Sequence, residues 1–120
     1  MIVRNIKQEE VLAGLYSAHG GGVAAMLLDS RVLQGVLFLA HGLLKPGKTI
    51  EAHVDPYEEI YYVLDGEGLM MVGKDSQRVR SGDAIWIPCG SVHSLENDGD
   101  KDCVILVVAA MPRMVKYSQL

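Results

Sequence analysis

Cysteine is scarce: only Cys89 and Cys103 among 120 residues. One pair cannot build the multi-bridge framework that staples small extracellular folds, and a chain of this length can bury a core without it. Aromatic residues are few, at 6%. Basic residues number 11 against 15 acidic ones and form no stripe or cluster. Nucleic acid is therefore not an expected partner. No polybasic segment lies beside an apolar helix, so an anionic membrane is not expected either. The longest apolar runs, residues 32–44 and 103–111, fall short of the roughly 20 residues that span a bilayer. The opening MIVRNIKQEE lacks the apolar stretch of a secretion signal. These absences together set the expectation of a soluble cytoplasmic protein. A capped helical period is also missing, and no Ser/His/Asp arrangement or phosphate-binding glycine loop points to covalent hydrolysis or nucleotide chemistry.

What is present is regular punctuation. Apolar residues make up 49% of the chain, and the 13 glycines are spread through it rather than gathered in low-complexity tracts. The length fits a single domain over residues 1–120. Residues 1–12 suggest an edge strand or a short arm. His19 with Gly20, Gly21 and Gly22 reads as a surface loop, with a lid over the fold's mouth as the alternative. Residues 31–44 suit one long strand, or two with a bend at glycine. From Lys45-Pro46-Gly47-Lys48 onward, short strand-like runs alternate with turns. TIEAHV ends at Asp55-Pro56. EIYYVL ends at Asp65-Gly66, which reads as a hairpin turn. GLMMV, SQRVR, AIWI, SVHSLE and CVILVVAAM follow, each closed by Gly, Pro, Asn or Asp. Many short, evenly punctuated strands predict an all-β sandwich or barrel. The tail, from Pro112 onward, is expected to fray or to pack on a partner subunit.

Four side chains in residues 47–97 carry the chemistry. In a strand, residues two apart share a face, so His53 and Asp55 point the same way. If residues 56–58 turn the chain, Glu59 opens an antiparallel strand facing the same space, and one hairpin supplies three donors. His93 must then come from another hairpin, so the site forms only in the folded chain. Imidazole nitrogen and carboxylate oxygen bind divalent first-row metals, at about 2.0–2.2 Å for zinc.

The spacing of these residues resembles the two motifs of the cupin superfamily. The first runs Gly, five residues, His-x-His, three or four residues, Glu, six residues, Gly. Gly47, His53, Glu59 and Gly66 match it in residue and spacing. The second runs Gly, five residues, Pro-x-Gly, two residues, His, three residues, Asn. Gly82, Pro88, Gly90, His93 and Asn97 match it throughout. The resemblance implies a double-stranded β-helix, or jelly-roll barrel, holding one divalent ion (Mn, Fe, Ni, Co or Zn) on His53, Asp55, Glu59 and His93. The departure is Asp55, which stands where the family has its second histidine. Two carboxylates would leave a divalent site formally neutral. If Asp55 does not reach, the set becomes two His and one carboxylate, or His41 fills the gap.

The resemblance further implies a metal-dependent enzyme of oxygenase, decarboxylase or isomerase type, acting on a small oxygenated molecule. The alternatives are a non-catalytic sugar- or acid-binding module and a barrel braced by a structural ion. A homodimer is expected by analogy with small cupins. Tyr61, two residues beyond Glu59, is the candidate catalytic hydroxyl, with Glu58 and His41 as lesser acid/base candidates. Asn97 is expected to cap a turn or bond a backbone group. Tyr61 and Trp86 each read as a pocket-lining side chain or a barrel-wall aromatic, and Cys89 as a residue near the cavity mouth or an incidental small one.

Overall fold

Residues 1–112 are described by the computed structural model, and the expectation that the tail frays or packs on a partner subunit lies outside them. The chain opens not with a strand but with one helical turn, α1 (Glu9–Leu12). Glu9 and Glu10 lie at its positive end, and Val11 buries against the first long strand. Ten strands follow: β1 (Tyr16–Ala18), β2 (Gly22–Leu28), β3 (Val36–Leu44), β4 (Thr49–His53), β5 (Glu58–Asp65), β6 (Glu67–Val72), β7 (Asp75–Arg80), β8 (Ala84–Ile87), β9 (His93–Glu96) and β10 (Cys103–Ala110). Of residues 31–44, only the part from Val36 onward is strand.

The strands form two antiparallel sheets, one of order β1-β2-β3-β10-β5-β8 and one of order β4-β9-β6-β7. This is the jelly-roll arrangement expected, but the barrel does not close. No strand is shared between the sheets. Among the described residues, one isolated bridge joins them, between Gly20 and Ile50. The hairpin tip there is secured by Gly21 N–H to the Thr49 carbonyl, 2.9 Å, and Glu51 N–H to the His19 carbonyl, 2.7 Å.

Strand alternation sorts the side chains. On β5, Glu59, Tyr61 and Val63 are buried, while Ile60, Tyr62 and Leu64 face out. Leu44, Ile50, Val63, Met70, Ile87, Leu95 and Ile105 fill the space between the sheets. Asp65-Gly66 is not the hairpin turn its sequence suggests. It carries the chain from the six-stranded sheet to the four-stranded one, since β5 pairs with β10 and β8 while β6 pairs with β7 and β9. Gly66 has φ +79°, and a Cβ there would overlap the Asp102 carbonyl oxygen. The crossover thus needs both glycine's backbone freedom and its missing side chain.

The same switch applies to β4 and β5. They are not a hairpin: β4 pairs with β9, across the sandwich from β5. The first motif therefore delivers its donors from two facing sheets, and β9 brings the second motif alongside β4. Among the described residues, no helix is long and apolar enough to cross a membrane.

Candidate metal centre

His53 ends β4, Asp55 lies two residues beyond, Glu59 is second on β5, and His93 opens β9. Register places His53 directly opposite His93, with ring centroids 4.2 Å apart. Asp55 is held by its own backbone: its carbonyl accepts from Gly90 N–H at 3.0 Å. Gly90 has φ +80°, so the Pro88-x-Gly90 turn ties the second motif to the first. One donor atom from each of the four residues lies within 4.8 Å of all the others. His53 Nε2 is 3.2 Å from Asp55 Oδ2, and His93 Nε2 is 3.5 Å from the same oxygen and 3.2 Å from Glu59 Oε1.

The cluster is short of hydrogen-bond donors. His53 Nδ1 donates to the Glu51 carbonyl at 2.7 Å, and His93 Nδ1 to the Ser91 carbonyl at 2.9 Å. A carbonyl only accepts, so in each neutral ring the proton sits on Nδ1 and the Nε2 lone pair faces inward. Asp55 Oδ2, Glu59 Oε1 and His93 Nε2 are buried without a hydrogen-bond partner. His93 and Glu59 are 0% and 4% exposed. Buried acceptors facing one another are costly unless something positive lies between them, either a proton or a cation. Imidazoles oriented by backbone carbonyls are a usual outer shell of metal ligands. The residues therefore fit a divalent ion in both donor chemistry and placement.

The local field is consistent with that deficit. Burial raises the Glu59 carboxyl above its ordinary range, and Asp55 adds to the effect. For His93 burial alone pulls the imidazole down, but Glu59, the Ser91 carbonyl and Asp55 outweigh it, so the net shift is upward. Burial, followed by the charges of Glu59 and Asp55, raises the hydroxyls of Tyr57 and Tyr61, which stay protonated donors.

Beside the cluster opens a cavity of about 310 Å³, lined by His53, Glu59 and Tyr61 among others. Tyr61 is 3% exposed and meets His93 edge-on, with centroids 6.0 Å apart. His41 does not join the cluster. Its neighbours Ala40 and Gly42 line the cavity, so alternation turns His41 to the opposite face of β3. Glu58 also faces away, accepting from Trp86 Nε1 at 3.0 Å, and Cys89 is exposed on its turn. His19 is the residue the sequence undersold. It lines the cavity and stacks on His53 with centroids 3.4 Å apart and planes 10° from parallel. Its φ of +49° is the only positive value at a non-glycine among the described residues, a strain of the kind often found at functional sites. The signal was local: a histidine preceding three glycines. Tyr16, Tyr57 and Phe38 also line the cavity. Of these, Tyr57 could have been suspected from its position between Asp55 and Glu59.

The family profile described as the cupin domain matches residues 40–109. The chain belongs to the cupin family. This cupin is 31% identical to an oxalate-binding protein of Thermotoga maritima, over 90% of this chain and 92% of that one. It is 34% identical to an uncharacterised protein of Methanocaldococcus jannaschii, over 81% and 79% of the two chains. Among solved structures, a predicted oxalate decarboxylase from Thermotoga maritima superposes with a TM-score of 0.78 at 27% identity, covering 93% of this chain and all of that one. An RmlC-like cupin from Shewanella frigidimarina superposes at 0.68, covering 83% and 85%, but at 17% identity it shares the fold alone.

Proposed function

We propose that this cupin holds one divalent metal ion on His53, Asp55, Glu59 and His93 and acts on a small oxygenated organic molecule. The observation that carries the reading is the set of buried, partnerless acceptors converging beside an accessible cavity. A bound ion would supply Lewis acidity toward carbonyl or enol oxygen and, if redox-active, electron transfer as well. The chain's own residues do the rest. The backbone carbonyls of Glu51 and Ser91 fix both imidazole tautomers. Tyr61, kept protonated by its surroundings, offers a hydroxyl toward the same space. Apolar walls exclude water from the reacting end of a ligand.

A purely structural ion is a weaker reading, because a brace needs no cavity beside it. A binding module without turnover shares the same site, and the relative named as an oxalate-binding protein keeps that alternative open. The test is elemental analysis of protein purified without added metal, for wild type, His93→Ala and Asp55→Ala. Wild type is expected to hold close to one equivalent and His93→Ala almost none. Asp55→Ala decides the ligand number: unchanged occupancy and affinity mean three protein ligands. Wild type without metal under conditions that load it sinks the proposal.

We further propose that the protein pairs with a second copy through the outer face of the six-stranded sheet. Ile60, Tyr62, Leu64 and Trp86 are 44%, 42%, 41% and 64% exposed there, a density of apolar surface that usually marks an interface. The nearby Glu58 carboxylate accepts a hydrogen bond from Trp86 Nε1 at 3.0 Å, which fixes the indole on this face.

A further inference from the structure

The cavity and the charge of the cluster say what kind of molecule belongs there, an inference that rests on the metal reading above. Two carboxylates, Asp55 and Glu59, face two neutral imidazoles, so a divalent ion among them leaves no net positive charge. Among the described residues, no Lys or Arg lines the cavity, and outside the cluster His19 is the one lining side chain that can carry a positive charge. A dianion bound at the ion would bring both charges against mainly apolar walls with no lysine or arginine counter-charge, where each unit of unbalanced charge is costly.

The walls point the same way. Ala24, Phe38, Ala40, Leu44, Ile105 and Val107 line the cavity, and the polar side chains outside the cluster include the hydroxyls of Tyr16 and Tyr57. Both phenol side chains line the cavity, to which His93 does not contribute. They are donors suited to a carbonyl or enolate oxygen. A volume of about 310 Å³ exceeds what a two-carbon acid fills and lies at the lower end of the usual small-molecule range.

We infer that the ligand is a neutral or singly charged carbonyl or enol compound with an apolar body about the size of one substituted ring, and that the site discriminates against dianionic acids such as oxalate. Asp55 is the residue that sets this preference, because a histidine in its place would leave the loaded site with one positive charge. The oxalate-related names of the relatives then describe a different selectivity on the same fold.

The experiment uses protein loaded with Ni(II) and three chelators that grip a metal through two oxygens. Tropolone is a monoanion with an apolar ring when bound, acetohydroxamate a small monoanion, and oxalate a small dianion. Affinity for the loaded protein is measured by calorimetry, with metal content checked after each titration. Each value is divided by the chelator's affinity for free Ni(II), which removes the intrinsic strength of the donor pair. Tropolone is expected to exceed acetohydroxamate, and acetohydroxamate to exceed oxalate, with about tenfold or more between the extremes. Oxalate that strips the ion without forming a ternary complex counts as the expected rejection. In Asp55→His, oxalate is expected to gain at least several-fold relative to tropolone. Equal or stronger normalised binding of oxalate by the loaded wild type overturns the inference while leaving the metal reading intact. Acetohydroxamate matching tropolone removes the apolar body from it. A wild type that retains no Ni(II) takes both readings down together.

Discussion

At the scale of single residues, two side chains of the second motif do opposite things. Asn97 is 1% exposed and fully satisfied. Its Nδ2 donates to the carbonyls of Leu44 at 2.8 Å and Lys101 at 2.7 Å, and its Oδ1 accepts from Gly99 N–H at 3.1 Å. Its own carbonyl accepts from Gly47 N–H at 2.8 Å, so Asn97 locks the opening turn of the first motif onto the close of the second. Asn97→Leu should cost about 2–4 kcal/mol in urea unfolding, since the buried Leu44 carbonyl and the part-buried Lys101 carbonyl lose their donor. A loss below about 1 kcal/mol would mean water takes over those bonds. His93, by contrast, is buried with its inward nitrogen unpaired. At a pH where no proton lies between His93 and Glu59, removing it relieves that cost in the metal-free fold while abolishing metal uptake. Metal-free His93→Ala is therefore expected to lose less stability than the removal of a well-packed buried side chain usually costs, about 2–5 kcal/mol. His19, stacked on His53, should matter through orientation: His19→Ala is expected to weaken metal affinity by about tenfold or less, with His19→Phe recovering part of the loss. A microcalorimetric titration of the three proteins checks this.

At the scale of elements, the site depends on where the chain changes sheets. β4 and β5 face each other because Pro56 and Tyr57 carry the chain across the sandwich instead of reversing it within one sheet. Gly66 makes the next crossing back. Gly66→Ala should destabilise the fold by more than about 2 kcal/mol, through strain at positive φ together with overlap on the Asp102 carbonyl. Ala at Gly73, where φ is +59° but the space is open, should cost only the backbone strain, about 1 kcal/mol. Equal losses at the two positions, read from thermal melts, would refute the steric half of this argument. The β1–β2 tip stays within its own sheet but reaches across to the other. It is the single bridge between the sheets among the described residues, and it delivers His19 to the cavity.

At the scale of the whole molecule, proton and metal compete for one buried deficit. Glu59 and His93 both have raised pKa values in the metal-free protein, Glu59 mainly through burial and His93 through its carboxylate neighbours despite burial. The fold thus binds these protons more tightly than the unfolded chain does. Their contribution to stability is complete below the unfolded values and is lost as pH rises through the folded ones. A metal ion must displace the same protons, so its binding strengthens over that range. The melting temperature difference between metal-loaded and metal-free protein is expected to widen from about pH 5 to about pH 8. A difference that stays flat or narrows contradicts the assignment of the four donors. Association is tested separately: sedimentation at micromolar concentration should give a dimer for wild type and a monomer for Ile60→Lys with Tyr62→Lys. A wild-type monomer rules out the sheet-face contact.

Much of this was legible in the chain itself. Alternation and turn residues are local properties, so the all-β class and most strand positions could be read directly. Strand alternation put His53 and Asp55 on one face, but it was the two-motif spacing resembling the cupin family that made His53, Asp55, Glu59 and His93 stand out together before any fold was known. The folded structure alone decided which strands pair. Asp55-Pro56 and Asp65-Gly66 look like hairpin turns and instead cross between sheets, because pairing is settled by burying the inward faces of both sheets together and not by the turn's own preference. The same long-range choice left the barrel open, turned His41 and Glu58 outward, and set His19 against His53. No sequence separation encodes those contacts; they follow from how two sheets pack.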